Sequence, residues 1–468
     1  MDYYKSRIID QNKREYGEDY AALKWISGPE ASRATQFRKD ILSHLSHYTR
    51  IGYKDTKLDC RNISPGCETC GQGLWSCIFI NGKCNCRCFY CPADQNGIGV
   101  PMTNTIPFPK VAEYVDYLDK FDFRGVGISG GEPLITLPAV LQFISAIRKR
   151  FKEKMYIWLY TNGILLNKDI VAKLKDTGLD EIRFDTGALN YSLEKVTLAV
   201  GQISRVTVEI PAIPEDYEML KNKIAEMRDC GIGNLNLHQL RLTPHNFKNI
   251  VKRNYTFLHG EKVTVLQSEQ AALQLLQYSF EKDIHLPINY CSFVYKNRFQ
   301  RSAARKRTAV FIKKDYEEIT ENGYTRYLCL SGDTEALIRQ VSVFAEDGVK
   351  EGLWFLNNAK DRLYFSPDLW NNVDFGNCAL KLGYYEPKIL PSISYRNIFL
   401  EIPLNKNRKV AIEKIRVSDE ITIEGDEIKF FGRLVFDKEE FDSPIVNAKK
   451  FSEIRGYEFI RRGLQEYF

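Results

Sequence analysis

The chain has no long apolar run: none approaches the roughly 18 residues that a membrane helix needs, so a membrane-spanning helix is not expected. A strong charge of one sign is missing as well, with 66 Lys+Arg against 60 Asp+Glu and a net charge of +6 over 468 residues. So weak an excess does not by itself point to nucleic acid. Met1 to Arg14 are polar and charged, without the apolar core or cleavage site of a secretory signal. Internal repeats and low-complexity linkers are absent too. What is left, 44% hydrophobic and 27% charged, is a globular composition, and the expected compartment is the cytosol. Two or three domains fit this length, or fewer if one is an α/β barrel.

Cysteine is the residue in surplus. There are twelve, and eight of them lie between Cys60 and Cys91. In a cytosolic chain that density points to metal rather than disulfides. Cys84, Cys88 and Cys91 form C-x3-C-x2-C, with Tyr90 just before the last cysteine. Iron–sulfur clusters usually take four cysteines. Three on one short loop leave one iron of a [4Fe–4S] cluster open to another ligand. The competing reading is a zinc knuckle, in which two of the cysteines pair with other ligands. Upstream, Cys60, Cys67, Cys70 and Cys77 are spaced C-x6-C-x2-C-x6-C. Four thiolates suffice for a closed zinc or iron site or an auxiliary cluster, unless Cys77 is simply buried in its strand. Cys86 receives no role. Cys230, Cys329 and Cys378 read as inert thiols.

Residues 1–59 read as helical and polar, followed by a Cys- and Gly-rich stretch to Gly73. From Leu74 strands alternate with helices. The strand candidates are Leu74–Asn81, Gly125–Ser129, Met155–Tyr160, Glu181–Asp185, Arg205–Ile210 and Asn234–Leu240. Strands separated by helices pair in parallel. Six of them fit a partial (β/α)6 TIM-like barrel of α/β class better than a flat sheet, between which periodicity alone does not decide; in either, the chemistry sits at the C-terminal strand ends. The cysteine loop follows the first strand and Gly130-Gly131-Glu132-Pro133 the second; Thr161-Asn162-Gly163 follow the third, and Asp185 ends the fourth. The repeat stops after Leu240. The expected divisions are 1–73 (helical, Cys-rich), 74–245 (barrel), 246–307 (helical extension) and 308–468 (strand-rich α+β). In the last, Val310–Ile312, Thr325–Leu330, Ile398–Ile402 and Ile421–Phe431 are the strand candidates, and Ile454–Phe468 a closing helix.

With the cysteine loop and the glycine pair at successive strand ends, residues 74–240 resemble the radical SAM superfamily. The resemblance implies a [4Fe–4S] cluster on Cys84, Cys88 and Cys91, with S-adenosylmethionine (SAM) chelating its open iron. It also implies that Gly130, Gly131 and Glu132 contact the SAM amino group. Tyr90 would lie near the adenine and Asp185 near the ribose, with Glu209 and Pro211 weaker candidates on the adenosyl side. Glu209-Ile-Pro-Ala-Ile-Pro214, Asn234-Leu-Asn-Leu-His238 and Tyr290-Cys291-Ser292 with Tyr295-Lys296 and Gln300 extend the likeness. They resemble a subgroup described as related to pyruvate formate-lyase activating enzyme, over roughly residues 60–305.

The expected function is that of a radical SAM enzyme: reductive cleavage of SAM to a 5′-deoxyadenosyl radical, which abstracts hydrogen from a substrate. His238 is a candidate substrate contact or proton donor, with a hydrogen-bonded structural histidine as its alternative. Cys291 is a candidate metal ligand or hydrogen donor, with an inert core thiol as its alternative. The substrate is open between a small molecule, a peptide and RNA, and the basic run Arg301 to Arg307 leans toward an anionic one. A flavodoxin or ferredoxin is the expected electron donor. The alternatives are an activase of a glycyl-radical enzyme, acting on a protein partner, and a non-catalytic iron–sulfur or zinc module.

Overall fold

A computed structural model describes residues 3–59, 62–376, 378–439 and 449–468. The chain divides into two compact units: Met1–Gln300 with Arg462–Phe468, and Arg301–Arg461.

The first unit is built on a ten-stranded sheet with seven parallel strands at its centre. These are β1 (Trp75–Phe79), β2 (Gly125–Ser129), β3 (Tyr156–Thr161), β4 (Glu181–Phe184), β5 (Arg205–Pro211), β6 (Asn234–His238) and β7 (Ile288–Cys291). Each pairs in parallel with the next. Lys57–Leu58 runs antiparallel to β7, and the hairpin Met102–Thr103/Ile106–Pro107 flanks β1. The two edges do not pair, so the barrel is partial. Strands covered on both faces read as apolar runs, and Ile157, Trp158 and Leu159 of β3 are fully buried.

The connecting helices follow amphipathic logic. Leu137–Phe151 buries Val140, Phe143, Ile144 and Ile147, spaced at helical intervals. Each such side chain contributes about 1.5–3 kcal/mol on leaving water. Arg148, Lys149 and Arg150 fill its last turn, where cations favour the helix dipole. Asn167 caps Lys168–Asp176, its side chain accepting from Ile170 N at 2.9 Å.

One helix lies against the sheet's inner residues. Pro65–Gly71 starts with Ser64 as cap and Pro65 in its first turn. A Cβ on Gly66 would overlap the Arg183 guanidinium and crowd Glu181. Only glycine lets the helix approach β4 this closely.

The second unit is an eight-stranded antiparallel sheet with helices. Its path runs Trp354–Leu356, Arg362–Phe365, Thr325–Ser331, Ala379–Leu390, Arg408–Arg416, Ile398–Asn405. Leu328, Leu330, Leu382, Phe344, Phe431 and Ile454 form part of its apolar core.

Several expectations change. A seventh parallel strand, Ile288–Cys291, extends the six expected. Val310–Ile312 is no strand: it ends the helix Arg301–Ile312, whose buried Arg305, Thr308, Ala309 and Ile312 repeat at helical intervals. The expected boundary at 307/308 falls inside that helix. Ile421–Phe431 splits into a strand, Ile421–Ile423, and a helix, Asp426–Val435, at Gly425 with φ +52°. The closing helix is Lys449–Glu458, earlier than expected, and 459–468 are irregular. No described helix is long and apolar enough to cross a membrane.

Candidate active site at the barrel strand ends

The loop after β1 carries Cys84, Cys88 and Cys91, all free and partly exposed. A turn brings Cys91 N to Cys88 O at 3.1 Å. Hydrogen bonds reach the sulfurs: Cys86 N to Cys84 Sγ at 3.4 Å and Gln95 Nε2 to Cys91 Sγ at 2.8 Å. From the end of β3, Asn162 Nδ2 donates to Asn85 Oδ1 at 2.7 Å and lies 3.5 Å from Cys86 Sγ and 3.8 Å from Cys84 Sγ. Burial pushes the Cys88 thiol up to about 12 and raises that of Cys91, where the Gln95 hydrogen bond opposes it. The aromatic pair of the loop is its anchor. Phe89 lies under Arg253, 3.5 Å from its ring centre, and Asn246 Nδ2 donates to Tyr90 O at 3.1 Å.

The glycine pair after β2 sits directly on this loop. Gly131 N donates to Asn81 O at 2.9 Å, and Glu132 N to Lys83 O at 2.8 Å. A Cβ on Gly130 would overlap Asn81 O, and one on Gly131 would overlap Lys83 O. The Glu132 carboxylate turns inward. It accepts from Asn162 N at 2.8 Å, Thr161 Oγ1 at 2.8 Å and Leu134 N at 3.0 Å. Burial pushes its carboxyl up, and these three donors oppose that. Glu132 thereby ties the end of β2 to the end of β3. Asn81 Nδ2 donates to Glu132 O, yet Asn81 Oδ1 is buried with no partner.

Asp185, just past β4, accepts from Tyr90 OH at 2.9 and 3.0 Å on its two oxygens. Removal from water pushes its carboxyl up to about 6, against the Tyr90 hydrogen bond, and the Glu209 charge adds to the rise. Burial, and then Asp185, also hold the Tyr90 hydroxyl well above its ordinary value.

Deeper, one rung of polar side chains crosses four strands. Asn289 Nδ2 on β7 donates to Asn236 Oδ1 on β6 at 3.1 Å. Asn236 Nδ2 donates to Glu209 Oε2 on β5 at 3.0 Å, and Arg183 Nη1 on β4 donates to the same oxygen at 2.8 Å. Arg183 is buried and also grips Glu181, at 3.0 and 3.1 Å. Burial pushes the Glu209 carboxyl up, but Arg183 and then His238 outweigh it and hold it well below the carboxylate range. His238 Nε2 lies 2.6 Å from Glu209 Oε1, and the Lys296 ammonium meets His238 Nδ1. Burial, and then Lys296, push the imidazole down. With the Lys296 ammonium donating, Nδ1 is the acceptor, which places the ring proton on Nε2, facing Glu209.

Cys291 ends β7, buried and level with His238. Cys67 accepts from Asn236 Nδ2 at 3.4 Å, and Cys70 from Gln300 Nε2 at 2.7 Å. Desolvation pushes the thiols of Cys70 and Cys77 up to about 12. Cys60 lies outside the described residues. Among the described residues, no group of three or more His, Cys, Asp or Glu is drawn together as a metal-holding site. Arg305, in the basic run, donates to Asn322 at 2.6–2.8 Å and stacks on Tyr324. It is a packing residue, which removes a central member of the run from any role in meeting phosphate.

Sequence reasoning missed Arg183, Asn162 and Asn81. The signal for Arg183 was present: Glu181 and Arg183 alternate within a strand that is otherwise apolar. Asn162 was read only as part of a turn. Lys296 was quoted in the likeness but given no task.

A profile of the radical SAM superfamily matches residues 78–234. A Methanocaldococcus jannaschii protein, provisionally named a glycyl-radical enzyme activating enzyme, is 31% identical over 303 residues, 62% of this chain and 76% of that one. A Methanococcus maripaludis protein, provisionally named a GTP 3′,8-cyclase, is 34% identical over 161 residues, 34% of this chain. The chain spans only about half (51%) of that cyclase. Among solved structures, SuiB of Streptococcus suis bound to SAM shows a faint likeness, with TM-score 0.34 and 13% identity over 53% of this chain and 52% of that one. The chain belongs to the radical SAM superfamily.

It is accordingly an enzyme of that class, in which a [4Fe–4S] cluster and SAM together supply a 5′-deoxyadenosyl radical. The residues present fit both groups. Three free thiols on one loop can each take a separate iron, so they need not converge on one point. Beside them the glycines let the end of β2 seat directly on the loop, and Asn81 Oδ1 is a buried acceptor without a donor among the described residues.

Proposed function

We propose that Cys84, Cys88 and Cys91 hold the cluster and that SAM lies from Gly130–Glu132 to Asp185. Gly130 and Gly131 offer backbone, and Asn81 Oδ1 an open acceptor, to its ammonium. Asp185 and Tyr90, already joined, face its ribose and adenine. Glu209, His238 and Cys291 line the side where the substrate is held. The observation that carries this reading is the direct seating of the glycine pair on the cysteine loop.

The subgroup related to pyruvate formate-lyase activating enzyme remains our assignment. An activase role has the name of the Methanocaldococcus jannaschii relative in its favour. A self-contained enzyme acting on a small molecule, peptide or RNA is favoured by the added unit Arg301–Arg461. A flavodoxin or ferredoxin would supply the electron.

Anaerobically reconstituted, dithionite-reduced protein should convert SAM to 5′-deoxyadenosine, and Cys88→Ala should abolish this. Product from Cys88→Ala would sink the assignment. Zinc alone in the purified protein would support the non-catalytic module. The same preparations test a second metal on Cys60, Cys67, Cys70 and Cys77: iron beyond about four per chain, surviving loss of the loop cysteines, would support it.

A further inference from the structure

The charges inside the barrel are unevenly partnered. Arg183 serves two carboxylates, Glu181 and Glu209. Lys296 has none: among the described residues it forms no salt bridge, and its one hydrogen-bond partner is the Nδ1 of His238. Glu209 holds the imidazole from behind at Nε2, which keeps Nδ1 turned toward Lys296. An ammonium offers three donors, and one is spent here. Its position is fixed by the fold. β7 places Cys291 beside His238, and Ser292 caps the next turn through Tyr295 N at 3.2 Å. That turn carries Lys296 over the C-terminal end of β6.

We propose that Lys296, steadied by His238, binds an anionic group of the substrate, a carboxylate or a phosphate, at the β6–β7 side of the barrel end. This rests on the radical SAM reading of the same site. The half-buried ammonium, which forms no salt bridge among the described residues and meets Glu209 only through His238, supplies two further N–H donors to an oxyanion, and charge-assisted hydrogen bonds of this kind are strong. The anion pairs with it directly and orients the rest of the substrate toward the cluster loop. The anionic lean that the sequence placed on Arg301–Arg307 moves to Lys296.

The test titrates the reconstituted, SAM-loaded enzyme with inorganic phosphate and, separately, with acetate, at fixed ionic strength. Saturable binding is read by NMR line broadening of the anion. The wild type should bind at least one, and the one bound identifies the group. Lys296→Met should weaken it about tenfold or more, and Lys296→Arg should retain most of it. Circular dichroism confirms that both variants fold. Absence of saturable binding to wild type, or equal binding to Lys296→Met, would overturn the proposal. So would a fall in SAM affinity in place of anion affinity, which would assign Lys296 to the cofactor's own carboxylate. Failure of the underlying reading shows separately, as wild-type protein that makes no 5′-deoxyadenosine.

Discussion

The two units bury charge in different ways. In the strand-rich unit, Arg326 pairs with Glu458 at 2.7 Å, and Lys414 with Glu317; all four side chains are almost fully buried. Each cation there meets a carboxylate directly, Arg326 meeting Glu318 as well. In the barrel unit the series Glu181, Arg183, Glu209, His238 runs through the interior and stops at Lys296, whose partner is neutral. Burial of polar groups is expensive in either place. Where pairs are closed, the outcome is structure. Where one end stays open beside the radical-generating loop, the fold has left a place for something else.

Five substitutions break or sharpen this contrast. The largest effect is expected for Arg183→Met, which strands two carboxylates and should cost about 3–5 kcal/mol in urea unfolding. Arg326→Met should cost a similar amount, but only the former should lower 5′-deoxyadenosine formation by the folded fraction. Equal loss in both would erase the distinction.

Next comes a closed histidine to set against His238. His259 stacks on Trp25 at 3.8 Å and is buried. Burial, then Lys13, lower its pKa from 6.5 to about 4. The unfolded chain therefore binds the proton first as pH falls. The neutral ring's contribution is complete above pH 6.5 and is lost toward pH 4, about 3 kcal/mol in all. His259→Gln should flatten that part of the pH–stability profile, and an unchanged slope would refute the linkage.

Gly131→Ala drives a methyl into Lys83 O. A cost of about 1–3 kcal/mol should appear together with poorer iron loading of the loop. Asn162→Ala removes the donor shared by Asn85 and the loop sulfurs. About 1 kcal/mol is expected, read as faster iron loss to a chelator. No change there would mean that the loop holds its shape without β3.

Much of the barrel was legible because its strands are apolar and its turns carry glycine. The cysteine loop and Gly130-Gly131 were legible because chemistry restricts them to few residue types. β7 was not: four residues, Ile288–Cys291, have no periodicity to display. Val310 and Ile312 misled through β-branching, and the burial of Arg305, Thr308 and Ala309 decided for helix. That the Glu132 carboxylate accepts from three protein donors and so ties β2 to β3 was not legible, because two of the donors come from the end of another strand. Lys296 could not be read from spacing at all, since its neighbour His238 is 58 positions away and meets it only through the register of β6 and β7.

Arg462–Phe468 belongs with the barrel unit, although Arg301–Arg461 comes between. Tyr467 shares a small core with Ile26, Ala34 and Leu258, its ring lies 4.0 Å from the Arg38 guanidinium, and Phe468 stacks on His259. During synthesis, then, the barrel cannot be finished when its last strand leaves the ribosome. It must wait, with the face formed by Ile26, Ala34 and Leu258 uncovered, until Arg301–Arg461 has been translated and Arg462–Phe468 come back to seal it.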